Sequence, residues 1–304
     1  MNFKFKISRA SQKNNIVAFY LYAEQHLKQS YVNFAQALLD QTISISENGD
    51  GDKAHIQLIE VVNHGVNKVL ILNGEQLVGN KLRQNRIVAS TTIIEAYKPA
   101  HLEVHCGEQK RWSRVINEEI QTSDTMFFSR ENLSNQRRVW EKIGDKLDKH
   151  NIKSFTMSAD EVYKKRKKEV DDVVSFFAPD DGAIGVALGN SYEIASVDIF
   201  SDPKIFKSYF SKILRGYATS NLKNINKKTN LTDKEVYTFL RWVQEAGQKP
   251  LTNLKGNVGK KILLNGTYVV GNVLYEDNEV VHCSAFVKDD LKHSFDSDRN
   301  YKVA

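Results

Sequence analysis

Residues 182–203 read GAIGVALGNSYEIASVDIFSDP. Gly182 to Leu188 and Tyr192 to Phe200 are two apolar, β-branched runs around Gly189-Asn190, a strong hairpin turn. Asp202-Pro203 ends the second run and opens a helix, because proline suits the first helical turn. That helix carries Phe206, Tyr209, Phe210, Ile213, Leu214 and Tyr217. A hairpin running directly into an amphipathic helix points to an α+β fold.

The rest of the chain extends this reading in both directions. On the C-terminal side, Thr232 to Ala246 reads as a helix with Thr232 as N-cap and Glu235 three residues on. Residues 220–232 and 247–257 are polar and read as loops. Lys260 to Leu264, Tyr268 to Tyr275 and Val280 to Val287 read as closing strands, with turns at Asn265-Gly266 and Asp277-Asn278. On the N-terminal side, Ala159 to Val174 and Asn135 to Leu147 have helical spacing. Before them lie short strands: Ile16 to Tyr22, Thr42 to Ser46, Ile56 to Val62, Val69 to Leu72, Ile87 to Ile94 and Leu102 to Cys106. A short helix is predicted over Tyr31 to Leu39, and a turn at Asn48-Gly49-Asp50-Gly51. The expected organisation is one α+β domain over 1–290. It has a β-rich part (1–112), a helical insertion (130–175), an α+β part (180–290) and a flexible tail over 291–304.

Composition narrows the function classes. No apolar run approaches the roughly 18–20 residues of a membrane-spanning helix. The two cysteines, Cys106 and Cys283, are far apart and belong to no CxxC pair, so no zinc site or disulfide framework is expected. These features lead us to expect a cytoplasmic protein with no membrane partner. The net charge of +6 favours an anionic partner. Much of the excess lies in Lys164-Lys165-Arg166-Lys167-Lys168, flanked by Asp160, Glu161, Glu169, Asp171 and Asp172. That pattern reads as a solvated helix face, with a nucleic-acid patch as the other reading. There is no phosphate-binding P-loop, no dinucleotide fingerprint and no HExxH, so no cofactor is identified.

The densest polar stretch runs from Asn73 to Trp112. A strand meets Asn73-Gly74-Glu75-Gln76-Leu77-Val78-Gly79, then Lys81-Leu82-Arg83-Gln84-Asn85-Arg86, then a second strand. Glycines let backbone approach a ligand, and Lys81 and Arg86 are phosphate-pairing types. Cys106-Gly107-Glu108-Gln109-Lys110-Arg111-Trp112 follows a later strand, and its indole beside a guanidinium suits a base. The alternative for the first segment is a solvated hairpin loop. For Cys106 and Trp112 the alternative is packing.

These segments resemble the signature of the ARG and rhodanese-phosphatase-superfamily-associated protein family, roughly D-G-E-E-L-x-G-A-K-Q-N-R followed by C-V-E-Q-G-R-W. Ser196 to Phe200, Lys212 to Ala218, Val269 to Tyr275 and Val281-His282 also fit, so the resemblance spans roughly 15–287. Asn73 replaces the usual Asp and Lys110 a Gly. Leu82 and Arg83 interrupt the Lys-Gln-Asn-Arg string, so Lys81 or Arg83 fills the lysine position. Cys283 stands where an apolar residue is commoner. The family is named for its company, ADP-ribosylglycohydrolases and phosphatases of nucleotide-processing pathways. The resemblance therefore implies a ligand such as ADP-ribose or another NAD-derived nucleotide.

The resulting expectation is nucleotide binding, with hydrolysis or modification as a further step. Its alternatives are a non-catalytic sensor in a stress or defence pathway and an RNA- or DNA-binding protein using the helix near Lys164. The ligand-binding set is Asn73, Gly74, Gly79, Lys81, Gln84, Asn85, Arg86, Gln109, Arg111, Trp112, Asp198 and Arg215. The acid–base candidates are Glu75, Glu108 and His282, since a carboxylate pair can support cleavage at a ribose carbon. Asp198 reads equally as a helix cap, Arg215 as a cation at a helix C-terminus and His282 as a structural histidine. Glu75 and Glu108 are expected at accessible strand ends.

Overall fold

The computed structural model describes residues 5–23, 31–47, 57–79, 82, 84–110, 121–125, 130, 135–223, 227–288 and 291. The turn at 48–51, Lys81, Arg83, Arg111, Trp112 and the tail beyond 291 lie outside the described residues.

The first strands are β1 (Phe5–Ile7), β2 (Ser11–Lys13), β3 (Ile16–Ala23), β4 (Tyr31–Asn33), β5 (Ile43–Glu47) and β6 (Leu58–Asn63). Then come β7 (Lys68–Ile71), β8 (Glu75–Val78), β9 (Arg86–Val88), β10 (Thr92–Ile94), β11 (Pro99–Cys106) and β12 (Gln121–Thr125). The hairpin of residues 182–203 is β13 (Gly185–Gly189) and β14 (Ile194–Phe200). The closing strands are β15 (Gly247–Leu251), β16 (Asn257–Val258), β17 (Lys260–Asn265), β18 (Val269–Glu276) and β19 (Glu279–Val287). The described helices are α1 (Phe34–Leu39), α2 (Gln136–Lys149), α3 (Asp160–Phe176), α4 (Pro203–Asn221) and α5 (Asp233–Glu245). Strands and helices together make an α+β fold.

Among the described residues, a nine-stranded sheet runs β1-β3-β13-β14-β19-β18-β17-β15, with β2 added beside β3. Its inner strands are apolar on both faces because both are covered. Ile16, Ala18 and Tyr20 of β3 pack with α3 and α4, and Val17, Phe19 and Leu21 pack with α5. A four-stranded sheet (β16-β10-β7-β4) and a six-stranded sheet (β12-β8-β9-β11-β6-β5) stand beside it.

Local chemistry explains the helix starts. Asp202 accepts from Lys204 and Ile205 N–H ahead of Pro203. Thr232 and Glu235 form a capping box at α5. Four expectations are corrected. The predicted helix over Tyr31 to Leu39 begins as strand β4, parallel to β7, and turns helical only after Asn33 caps it. Ile87 to Ile94 is two strands in two sheets, because the chain bends at Ala89–Thr91. Residues 247–251 are not loop but edge strand β15, exposed throughout, where Pro250 costs no pairing. Finally, α4 continues to Asn221, so Arg215 is not at a helix C-terminus.

Candidate functional site

Gly74 has φ +83°, a left-handed turn that a side chain would strain, and it joins β7 to β8. Its N–H donates to Val88 O at 2.7 Å, holding the turn over β9. The register then places Gln76 opposite Ile87, and Ile87 opposite His105. Leu77 faces Arg86, and Arg86 faces Cys106. Partnered residues share a face, so the signature is divided between the two faces of one sheet.

On the face of Arg86, the guanidinium is 2% exposed and is held by protein groups. It donates from Nε and Nη2 to Glu47 Oε1 (3.1 and 2.7 Å) and from Nη1 to Cys106 Sγ (2.9 Å). Burial pushes the Cys106 thiol up, and Arg86 opposes that shift. Glu75 is fully buried rather than at an accessible rim. Its carboxylate accepts from Lys212 Nζ at 2.8 Å and from Leu72 N–H at 3.0 Å. The strand it belongs to turns it inward against α4, which is why rim placement is corrected.

The second segment meets the first. Asn85 N–H donates to Glu108 Oε2 at 2.9 Å, and Gly107 N–H donates to Asn85 O at 2.7 Å. Thr156 Oγ1 donates to Glu108 Oε1 at 3.1 Å. Glu108 is therefore buried as well, a second correction to the rim expectation, while Gln109 beside it is exposed. Glu75 and Glu108 have different partners. On the opposite face, Gln76 is 0% exposed, yet neither amide atom has a hydrogen-bond partner among the described residues. The same holds for both ring nitrogens of buried His105 and for Gln84 Oε1. Burial lowers the His105 pKa and favours the neutral ring.

Asp198 is not a helix cap; it lies in the middle of β14, fully buried. Arg130 donates to both of its oxygens, at 3.1 Å for Nη1 to Oδ2, and to Asn73 Oδ1 at 3.3 Å. His282 Nε2 donates to Asp198 Oδ1 at 3.1 Å, an ionised carboxylate being an acceptor only. Thr91 Oγ1 accepts the Asn73 N–H at 3.1 Å. Burial alone would raise the Asp198 carboxyl, but Arg130 and His282 outweigh it and hold it below its ordinary value. Burial lowers the His282 pKa, against the pull of Asp198. Asn73, Asp198 and His282 thus meet through Arg130 and Thr91, two residues that sequence reading missed. Arg130 gave no signal, since it lies outside every periodic segment. Arg215 is elsewhere, its Nε 3.2 Å from Asp171 of α3. The basic run lies on α3, where Lys164 pairs with Asp160 (2.9 Å) and Arg166 with Glu169 (3.1 Å).

Behind Thr91 opens a cavity of about 340 Å³ lined by Ala89, Ser90, Glu103, Lys261 and Asn272 among others. Asn272 pairs with Ser284, and Ser284 with Asp198, so one row of the large sheet runs from the cavity wall to the buried centre. Lys261 is 6% exposed, and burial lowers its pKa to about 8. The sequence carried no signal for it, since Lys261 follows Lys260 at the start of β17 and reads as one of two surface lysines. The unfolded lysine holds its proton up to 10.5, so the unfolded state binds more protons between about 8 and 10.5. Stability should therefore rise with pH across that window. Lys261→Met should be more stable than wild type by roughly 3 kcal/mol at pH 7, with the gap closing by pH 10.5. Urea denaturation of both proteins across that pH range checks it; a gap independent of pH would show that the ammonium carries no burial cost.

No helix of the described residues is long and apolar enough to cross a membrane. No curated protein and no solved structure matches the chain. The family model described as the ARG and Rhodanese-Phosphatase-superfamily-associated Protein domain matches residues 4–286.

Proposed function

This chain belongs to the ARG and Rhodanese-Phosphatase-superfamily-associated Protein domain family, and on that premise we propose that its signature cluster binds an ADP-ribose-like or other NAD-derived nucleotide. One observation carries the reading. Gln76 is wholly buried with neither amide atom partnered among the described residues, at the centre of the signature. An unmet buried polar group costs about 1–3 kcal/mol, so such a group is completed by ordered water or by a ligand, and here both atoms of one amide are open together. A primary amide offers a donor and an acceptor side by side, the pattern that reads the edge of an adenine. Gln84 Oε1, in the bend before β9, and the neutral ring of His105, on β11, add further unmet buried groups. In this reading Arg86, Glu47 and Glu108 are the frame that fixes the strands, and the amides make the contacts.

Gln76→Met tests it, because the two side chains are similar in shape. The variant should fold at least as stably as wild type, since an unmet buried group is removed. Its affinity for ADP-ribose should fall about tenfold or more, the equivalent of one lost hydrogen bond of about 1.4 kcal/mol. Isothermal titration with ADP-ribose, NAD and AMP measures this. Wild type showing no heat with any of the three would sink the reading. Chromatography of the titrated ligand then separates an enzyme, which releases products, from a sensor, which returns its ligand intact.

A further inference from the structure

The cavity behind Thr91 contains a group that the nucleotide reading does not use. Lys261 reaches it from β17, and its side chain shares a face with Leu263 and Asn272. Among the described residues its ammonium has one hydrogen-bond partner, Ser90 Oγ at 3.3 Å. Leu58, Leu251, Leu254 and Leu263 make the apolar part of the wall. Glu103 supplies a carboxylate, and the Asn272 Nδ2 amide is buried without a partner among the described residues. An amine desolvated by an apolar wall, beside an acid–base group, is the arrangement that turns lysine into a nucleophile for carbonyls.

We propose that Lys261 condenses with the aldehyde of a short hydroxylated substrate, an open-chain sugar, bound in this cavity. Glu103, Ser90 and Asn272 are the hydrogen-bonding groups available to its hydroxyls. The neutral Nζ attacks the carbonyl carbon and forms the C–N bond. The C=O π pair moves to oxygen, which gains a proton, and nitrogen loses one, giving a carbinolamine. The C–O bond then breaks, the oxygen leaves as water after a second protonation, and the nitrogen lone pair closes the C=N bond. Glu103 is the cavity group suited to moving these protons. The net change is amine plus aldehyde to imine plus water, with nothing oxidised or reduced. The cavity volume of about 340 Å³ is at the small end of ligand sites and suits such a substrate.

Burial supports the chemistry. With its pKa lowered to about 8, Lys261 is neutral in about a quarter of molecules at pH 7.5, against roughly a thousandth for an ordinary lysine.

The test is reductive trapping on the full wild-type chain. Limiting D-glyceraldehyde with cyanoborohydride is added at pH 7.5, and peptide mapping by mass spectrometry follows each lysine separately. Lys261 should be labelled at least tenfold faster than the average surface lysine, and its rate should level off above about pH 8. Replacing D-glyceraldehyde by acetaldehyde should slow Lys261 relative to the surface lysines, because the hydroxyl contacts are lost. Labelling no faster than the surface average would overturn the proposal. Equal preference for the two aldehydes would overturn the sugar class. Neither result depends on nucleotide binding, and Lys261→Arg should titrate ADP-ribose as wild type does.

Discussion

Asp198→Ala is expected to cost about 3–5 kcal/mol of folding stability, because it strips the counter-charge from a buried guanidinium. Arg130 is 1% exposed and lies over the Phe286 ring, 5.0 Å from its centroid, so water does not replace the lost carboxylate. His282 loses the acceptor for Nε2 in the same step. The double variant Asp198→Leu with Arg130→Met should recover most of the loss, since a buried pair replaced by apolar groups of similar size is often neutral. The pH dependence has a definite sign. The Asp198 carboxyl is held below its ordinary value of 3.8, so its contribution is complete above 3.8 and disappears as pH falls through the folded value. His282 titrates below its ordinary 6.5 in the folded state. The unfolded chain therefore takes up that proton first, and stability falls as pH drops below about 6.5. Urea denaturation of the single and double variants at pH 7, and of wild type from pH 7 down to about pH 2, measures both effects. A single-variant loss below about 1 kcal/mol would mean that the pair is solvated, the usual value for exposed ion pairs.

Glu47→Ala is the second large effect, again about 3–5 kcal/mol. The side chains of Glu47 and Arg86 are 3% and 2% exposed, with two guanidinium nitrogens on one carboxylate oxygen. Their pairing clamps β5, at the edge of the six-stranded sheet, to β9 at its centre. Arg86→Met should therefore destabilise by a similar amount, and Glu47→Leu with Arg86→Met by much less. A guanidinium serving a ligand's phosphate predicts the opposite: Arg86→Met would keep its denaturation midpoint and lose only affinity. Guanidinium-chloride denaturation beside ADP-ribose titration decides between them.

Much of the architecture was legible because it is local. The capping box at Thr232, the Asp202-Pro203 start of α4 and the hairpin around Gly189-Asn190 depend on residues within a few positions of each other. Elements without a local signal escaped. Strand β15 is a fully exposed edge, so burial imposes no apolar alternation on it. Strand β4 is three residues long and exists through its parallel pairing with β7, 37 positions on at Tyr31 and Lys68. The bend that divides Ile87 to Ile94 is decided by Thr91 reaching Asn73, 18 residues earlier.

The candidate site divides in the same way. By itself, the sequence determined the α+β class, the family, and the concentration of polar residues between Asn73 and Glu108, since motif and periodicity are properties of order along the chain. Only the tertiary structure decided what those side chains do. Arg86 and Glu75 look like free ligand groups until Glu47 and Lys212, 39 residues before Arg86 and 137 after Glu75, are folded against them. Asp198 looks like a cap until Arg130 and His282 close on it from 68 and 84 positions away. Lys261 looks like surface charge until β17 turns it into a cavity. A charge is ligand-binding, structural or reactive according to what desolvates and neutralises it, and those partners are neighbours in space rather than along the chain.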